Sequence, residues 1–205
     1  MKTKSLSVDS SIIESSKKYV KTIFGKFHDK SILQYHDLYH TKSVVKAAKR
    51  IAEHYKLSDD DYTILITAAW FHDIGYFDDP FHHEEKGALN VERFLTVKQV
   101  DPVSIARVKN CILATRLPQQ PHDLLEQILC DADLFHFGTK EFKDRSKLMR
   151  KEYQILYKKK ISKEAWWSKS LALLSGHTFH TTYTQVQLQA GKARNIAWLR
   201  TKLKH

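Results

Sequence analysis

Glycine and proline are scarce, with 6 and 4 among 205 residues. A many-stranded sandwich needs turn residues roughly every 8–12 positions, so this shortage excludes a turn-rich all-β fold and favours long helices. Only two cysteines occur, Cys111 and Cys130, both on apolar faces of expected helices. They read as buried free thiols of a reducing compartment, with a disulfide between them as the alternative. Long hydrophobic runs are missing: stretches such as Ala68–Phe71 and Leu171–Leu174 hold four apolar residues, against about 20 for a membrane span. The N-terminal stretch MKTKSLSVDSSIIESSKK contains no apolar segment of the kind a secretory signal needs. The expectation is therefore a cytoplasmic protein with no membrane segment in this chain. Neither GxxxxGK[ST] nor GxGxxG occurs, which removes the glycine-loop nucleotide folds. No internal repeat or low-complexity tract is visible.

What is present belongs to an ordinary globular chain, 42% apolar and 28% charged, long enough to bury a core without staples. The length predicts a single domain over 1–205, its core at about 30–140 and its C-terminal helices, about 141–205, packed on that core. Net charge is +11 and uneven: residues 151–205 hold 11 Lys and Arg against 2 Glu. Such a tail suits nucleic acid, anionic lipid or a phosphorylated substrate. A solvated helix surface is the plainer reading, and without an aromatic-basic motif no nucleic-acid partner is expected.

Apolar spacing predicts helices throughout, an all-α fold. Residues 9–27 carry Ile12, Ile13, Val20, Ile23 and Phe24, with Asp9 or Ser10 as N-cap. Residues 41–56 place Val44, Val45, Ala48, Ile51, Ala52 and Tyr55 on one face. Ser58-Asp59-Asp60-Asp61 opens a helix that becomes apolar nearly all round, so it should be the buried central one, stopping at Gly75. Residues 76–83 read as a loop and 84–97 as a helix. Asp101-Pro102 caps a helix to about Thr115. After a loop at 117–121 come helices over 123–136 and Thr139 to about Lys159, and two more.

Twelve histidines occur, several beside carboxylates. His72-Asp73 ends the central helix, and Asp131 and Asp133 interrupt an apolar helix. Carboxylates in a buried helix are costly unless paired or bound to metal. Two histidines with two carboxylates suit an octahedral divalent cation with open positions. Taken singly, each of these residues reads as a satisfied core or cap residue.

The ordered set His40…His72-Asp73…Asp133 resembles the signature of the HD superfamily of metal-dependent phosphohydrolases. Its contexts resemble that family too: Tyr35-His36-Asp37-Leu38-Tyr39-His40 is similar to a YHN-x-x-H entry, and Ala68-Ala69-Trp70-Phe71-His72-Asp73 to the central helix. His83-Glu84-Glu85-Lys86-Gly87-Ala88 is similar to the next helix start, and Asp131-Ala132-Asp133-Leu134 to the last ligand helix. The likeness runs over about residues 15–200 and is strongest to a poorly characterised bacterial branch. Similar domains occur fused to membrane modules in cyclic-nucleotide-responsive phage-defence effectors.

The resemblance implies an HD helical bundle holding one divalent ion (Mn, Fe, Ni, Mg, Co or Zn) through His40, His72, Asp73 and Asp133. It implies hydrolysis of a nucleotide or related small phosphate ester by metal-activated water, as monoesterase, diphosphohydrolase or cyclic-nucleotide phosphodiesterase. The alternative is a metal-holding, nucleotide-sensing domain with little turnover. Asp73 would hold the water, and His36, four residues before His40, would protonate the leaving oxygen, although Asp37 replaces the usual Asn. Glu84 is a further acid/base, and Asp131 and His83 would support the ligands, Asp131 being also the rival to Asp133 for the ligand position itself. His82 and His83 are the residues a second metal would need. Phosphate requires positive charge, for which Lys86, Arg116, Arg145 and Arg150 are candidates. Trp166 and Trp167 offer stacking surfaces, with a core position as the other reading.

Overall fold

The computed structural model describes residues 11–27 and 32–204. It is 77% helical, with nine α-helices and no strand among the described residues. These are α1 (Ser11–Lys26), α2 (Leu38–Tyr55), α3 (Asp59–Phe71), α4 (His83–Val97), α5 (Pro102–Ala114), α6 (Leu124–Asp133), α7 (Phe142–Leu156), α8 (Lys163–Gly176) and α9 (Thr182–Lys202). The proposed caps Asp9 and Ser10 lie outside the described residues. The chain divides into two compact units. One holds α1 and residues 36–133, the other residues 32–35 and 134–204. No described helix is long and apolar enough to cross a membrane.

In the first unit α3 packs against α1, α2, α4, α5 and α6. Its N-terminus is set by Ser58, whose hydroxyl accepts from Asp61 N at 3.2 Å, with Asp59, Asp60 and Asp61 favourably placed at the positive end of the helix dipole. From Thr63 to Phe71 every residue is buried, which an all-round apolar sequence requires. Phe71 stacks on Tyr19 of α1 and meets Phe94 of α4, at centroid distances of 5.6 and 5.1 Å. Asp101 caps α5 by accepting from Ser104 N at 2.9 Å, with Pro102 in the first turn. Cys111 and Cys130 are free and buried, and burial pushes both thiols far up, so neither is a reactive thiolate.

Several expected boundaries move: the central helix ends at Phe71 rather than Gly75, and the helix expected from Thr139 to about Lys159 runs over Phe142–Leu156. The stretch read as a loop at 76–83 is mostly 3₁₀ helix, over Ile74–Phe77 and Pro80–His82. Asp79 caps the second of these, accepting from Phe81 N at 2.9 Å. The helix expected over 123–136 ends at Asp133, followed by a 3₁₀ turn over Phe135–Gly138. Apolar periodicity reports which face is buried, not the pitch of a short turn, so these segments left no distinct trace.

In the second unit α9 crosses the 135–138 turn, with Gly191 directly against Gly138 O. Leu134, Phe137, Phe142, Leu174, Phe179, Leu188 and Leu199 form its core, and Trp167 packs on it. Trp166 instead donates its indole N–H to Ser146 Oγ at 2.9 Å.

Candidate metal centre

The elements of the first unit bring side chains 93 residues apart in sequence to one point. Asp37 caps α2 by accepting from His40 N at 2.8 Å, which places His40 in the first helical turn. His72 caps the C-terminal end of α3, and Asp73 follows it. Asp133 is the last residue of α6.

His40, His72 and Asp133 each offer a ligand atom, all within 4.8 Å of one another. His40 Nε2 lies 3.0 Å from Asp133 Oδ1, and His72 Nε2 lies 3.7 Å from the same oxygen. The two Nε2 atoms are 3.4 Å apart. Asp73 Oδ2 is not part of this trio but adjoins its two histidines, 3.0 Å from His72 Nε2 and 3.3 Å from His40 Nε2. Donors about 2.1 Å from a common ion, set at right angles to one another, stand about 3 Å apart. The observed spacings are of that order.

Two further observations fit the group to a cation. The first is that Asp73 Oδ2 is buried without a hydrogen bond of acceptable geometry, despite the two nearby nitrogens. The second concerns His72, whose Nδ1 is 2.9 Å from Ala69 O. That carbonyl can only accept, so Nδ1 carries the proton and neutral His72 presents the Nε2 lone pair to Asp73 and His40. Lone pairs facing one another need a positive charge between them. Either an extra proton on His72 or a divalent ion supplies it.

The electrostatics express the same conflict. Burial lowers the His72 pKa, but the negative charge of Asp73, 3.0 Å away, with that of Asp133, outweighs it and raises the value to about 9. At His40 burial wins over Asp133 and Asp73, and the pKa is lowered. Burial would raise the Asp73 pKa, but His72, His36 and His40 hold it well below the usual carboxylate range. At Asp133 burial acts in the same direction and is overcome by His40 and His72, leaving its pKa lowered too.

Around this centre stand His36, Tyr76, His83 and Glu84. His36 is not on a helical turn with His40; it sits in a bend before Asp37, yet the two rings meet edge-on at 5.7 Å. His83 Nε2 is 3.9 Å from Asp73 Oδ1, the oxygen not shared with His40 and His72, and 3.3 Å from Glu84 Oε1. Glu84 is buried at the first turn of α4. His82 is elsewhere, 60% exposed and bonded to Asp79 at 2.8 Å. Tyr76 was not singled out in the sequence; only its place three residues after Asp73 hinted at it.

The start of α4 is held close by glycine. A Cβ on Gly75 would stand 2.6 Å from Gly87 N and nearer still to His83 O. Gly87 in turn faces the carbonyls of Phe71 and His72, each 3.2 Å from where its Cβ would be. Backbone therefore lies on backbone between the His72-Asp73 turn and α4.

Of the remaining candidates, the three arginines have partners of their own. Asp131 is fully buried on α6. Lys86 is half-buried on α4, and Arg116, beyond α5, pairs with Glu85. In the second unit Arg145 is buried, donates to Tyr35 O at 2.6 Å and lies over the Tyr35 ring, while Glu152 accepts from Tyr35 N at 2.7 Å. Arg150 donates to Ile161 O through Nε at 3.0 Å.

Residues 37–138 match the family model described as HD domain. No curated protein matches the sequence significantly. Among solved structures, that of a predicted HD superfamily hydrolase from an uncultured Thermotogales bacterium is similar, at TM-score 0.59 and 21% identity. The match covers 93% of this chain and 91% of that one. A Lactobacillus plantarum protein superposes at TM-score 0.70 and 16% identity, over 96% of this chain and 95% of that one. At these identities the likeness is one of fold.

Proposed function

We propose, for a chain that residues 37–138 place in the HD domain family, the function of a divalent-metal-dependent phosphohydrolase acting on a nucleotide or related small phosphate ester. The observation that carries the reading is the convergence of His40, His72 and Asp133, with Asp73 Oδ2 beside the two histidines, buried and lacking a hydrogen bond. These four residues would hold the ion. When bound, a divalent ion supplies Lewis acidity toward a phosphoryl oxygen and lowers the pKa of water.

The protein's own groups divide the other tasks. Asp73 keeps one carboxylate oxygen among the ligands and turns the other toward His83, where it can orient and deprotonate a water. His36, within reach of the same carboxylate's charge, is the group to protonate the leaving oxygen. Glu84, whose Oε1 lies 3.3 Å from His83 Nε2, offers a second acid/base. Asp131 supports the ligand end of α6. Lys86, one turn into α4, and Arg116, once released from Glu85, are the cations assigned to phosphate charge in this reading. Arg145 and Arg150, bound to backbone carbonyls here, serve structure first.

The test is product release from mononucleotides, dNTPs, cyclic mononucleotides and guanosine tetraphosphate with Mn²⁺, for wild type and Asp73→Ala. Turnover that disappears in the variant supports the reading and names the bond cleaved. Metal retention with no turnover across the panel would refute it in favour of a metal-holding sensor.

A further inference from the structure

The charge of the chain is divided between its two units. Residues 134–205 hold 16 Lys and Arg against 4 Asp and Glu, whereas residues 1–133 hold 18 against 19. The net positive charge therefore resides in the second unit, and it concentrates where α7 gives way to α8. Arg150, Lys151, Lys158, Lys159, Lys160 and Lys163 fall between residues 150 and 163. The one acid among them, Glu152, is buried and accepts from Tyr35 N; the next, Glu164, belongs to the first turn of α8. The five lysines are exposed, and none is in an ion pair among the described residues. Aromatic rings stand beside them. Tyr157, 53% exposed, stacks on Tyr153 at a centroid distance of 4.4 Å and an interplanar angle of 28°. Trp166 of α8 lies against the same Tyr153 ring at 5.6 Å, and Lys169 Nζ stands 6.0 Å from its centroid. The loop is pinned: Ile161 donates its N–H to Gln154 Oε1 at 3.1 Å, and its carbonyl accepts from Arg150 Nε at 3.0 Å. The three lysines before Ile161 therefore sit on a fixed backbone next to the rings.

We propose that the end of α7, the loop over 157–162 and the start of α8 form a binding surface for single-stranded nucleic acid, with a base stacking on Tyr157 and phosphates neutralised by Lys158, Lys159, Lys160 and Lys163. The surface lies wholly in the second unit and does not rest on the phosphohydrolase reading. Unopposed like charges repel one another, and a polyanion relieves that repulsion while releasing its own condensed counterions. An exposed, stacked ring beside such charge matches the other feature of a single strand, bases whose faces are open. A duplex offers phosphates but hides those faces, so it gains nothing from Tyr157. An anionic membrane fits less well. Between residues 150 and 170 Ile155, 41% exposed, is the one exposed large aliphatic side chain, too little to bury an apolar face among acyl chains. The sequence carries no recognised aromatic-basic motif; the meeting of α7 and α8 assembles one.

The experiment uses the full chain with Mn²⁺ and follows the fluorescence anisotropy of a labelled oligouridine of about 20 nucleotides through a salt titration. Each phosphate neutralised on a single strand contributes about −0.7 to the slope of log K against log salt. The triple variant Lys158→Ala, Lys159→Ala, Lys160→Ala should therefore flatten the slope by about 2. Tyr157→Ala should weaken binding about tenfold at every salt concentration with the slope unchanged, and Tyr157→Phe, which keeps the ring, should bind as wild type does. A DNA duplex of the same length should be insensitive to Tyr157→Ala. Asp73→Ala should bind the oligouridine with wild-type affinity.

No binding by wild type at about 20 mM salt overturns the proposal, whether or not any variant folds. So does a folded triple variant with the wild-type slope, or a folded Tyr157→Ala with the wild-type affinity. A duplex bound more tightly than the oligouridine overturns the assignment to single strands. Loss of binding in a folded Asp73→Ala places the oligonucleotide at the metal centre and overturns the proposal as well. Phosphatidylserine vesicles test the competing partner: vesicles bound by a protein that ignores the oligouridine make the patch a membrane surface instead. Failure of the phosphohydrolase reading, seen as no turnover of small phosphate esters, leaves each of these outcomes unchanged.

Discussion

Replacing Gly75 by alanine tests the claim that backbone contact between the His72-Asp73 turn and α4 assembles the site. The added Cβ would stand 2.6 Å from Gly87 N, closer still to His83 O, and ordinary contact begins at 3.4 Å. The obstacles are main-chain atoms of a packed helix, so no flexible side chain can swing aside. The two segments must separate by about 1 Å, in an interior with no spare volume to absorb it. Overpacking of this kind costs about 1–3 kcal/mol. For a chain of this size 2 kcal/mol lowers Tm by about 4–8 °C. The same shift separates Tyr76 and Asp73 from His83 and Glu84, and a displacement of about 1 Å in catalytic geometry costs about 100-fold in rate. Differential scanning calorimetry and turnover with Mn²⁺ would measure both effects. The control is Gly25→Ala on α1, where nothing lies within 4 Å of the new methyl. There alanine should stabilise by about 0.5–1 kcal/mol through reduced chain entropy. A Gly75→Ala protein with the Tm and turnover of wild type would refute the reasoning outright.

The metal centre has its own pH signature. In metal-free protein His72, raised from 6.5 to about 9, contributes stability that is complete below pH 6.5 and is lost as pH rises through about 9. Asp73 and Asp133, both lowered, contribute stability that is present above the ordinary carboxylate range and is lost as pH falls through their folded values. His40, lowered, opposes folding on the acid side of 6.5. Melting in the presence of chelator should therefore show a decline between pH 6.5 and 9; a flat profile there would count against the geometry. Because an ion must displace the His72 proton, Mn²⁺ affinity should rise by up to about tenfold per pH unit over the same window, measurable by calorimetric titration. Phe71→Ala, which removes a fully buried ring touching Tyr19 and Phe94, should cost about 3–5 kcal/mol in urea unfolding. Ser58→Ala should cost about 1 kcal/mol by removing the α3 cap, without changing bound metal.

Helix content, the buried character of α3 and the start of α5 are local properties. Apolar spacing and the caps Ser58 and Asp101 act within one or two turns, so reading along the chain was enough to find them. Charge inside an apolar helix is anomalous in one dimension as well as in three, which marked His72-Asp73 and Asp131 and Asp133 alike; the donor set His40, His72, Asp73 and Asp133 came only from the resemblance to the HD family. What those residues meet was not legible. His40 and Asp133 are 93 positions apart, and only packing of α2, α3 and α6 decides that two Nε2 atoms meet one oxygen of Asp133, with Asp73 beside the two rings. Packing likewise decided that Asp73 divides its oxygens between the donor cluster and His83, and that Tyr76 stacks on His36 and His83. It also gave Arg145 a partner in the Tyr35 carbonyl and His82 one in Asp79. Gly75 illustrates the limit most clearly: in sequence it reads as a helix stop, whereas in the fold it is the place where two backbones touch. Pattern carries the periodicity of a single element; contact between elements depends on distances that no periodicity encodes.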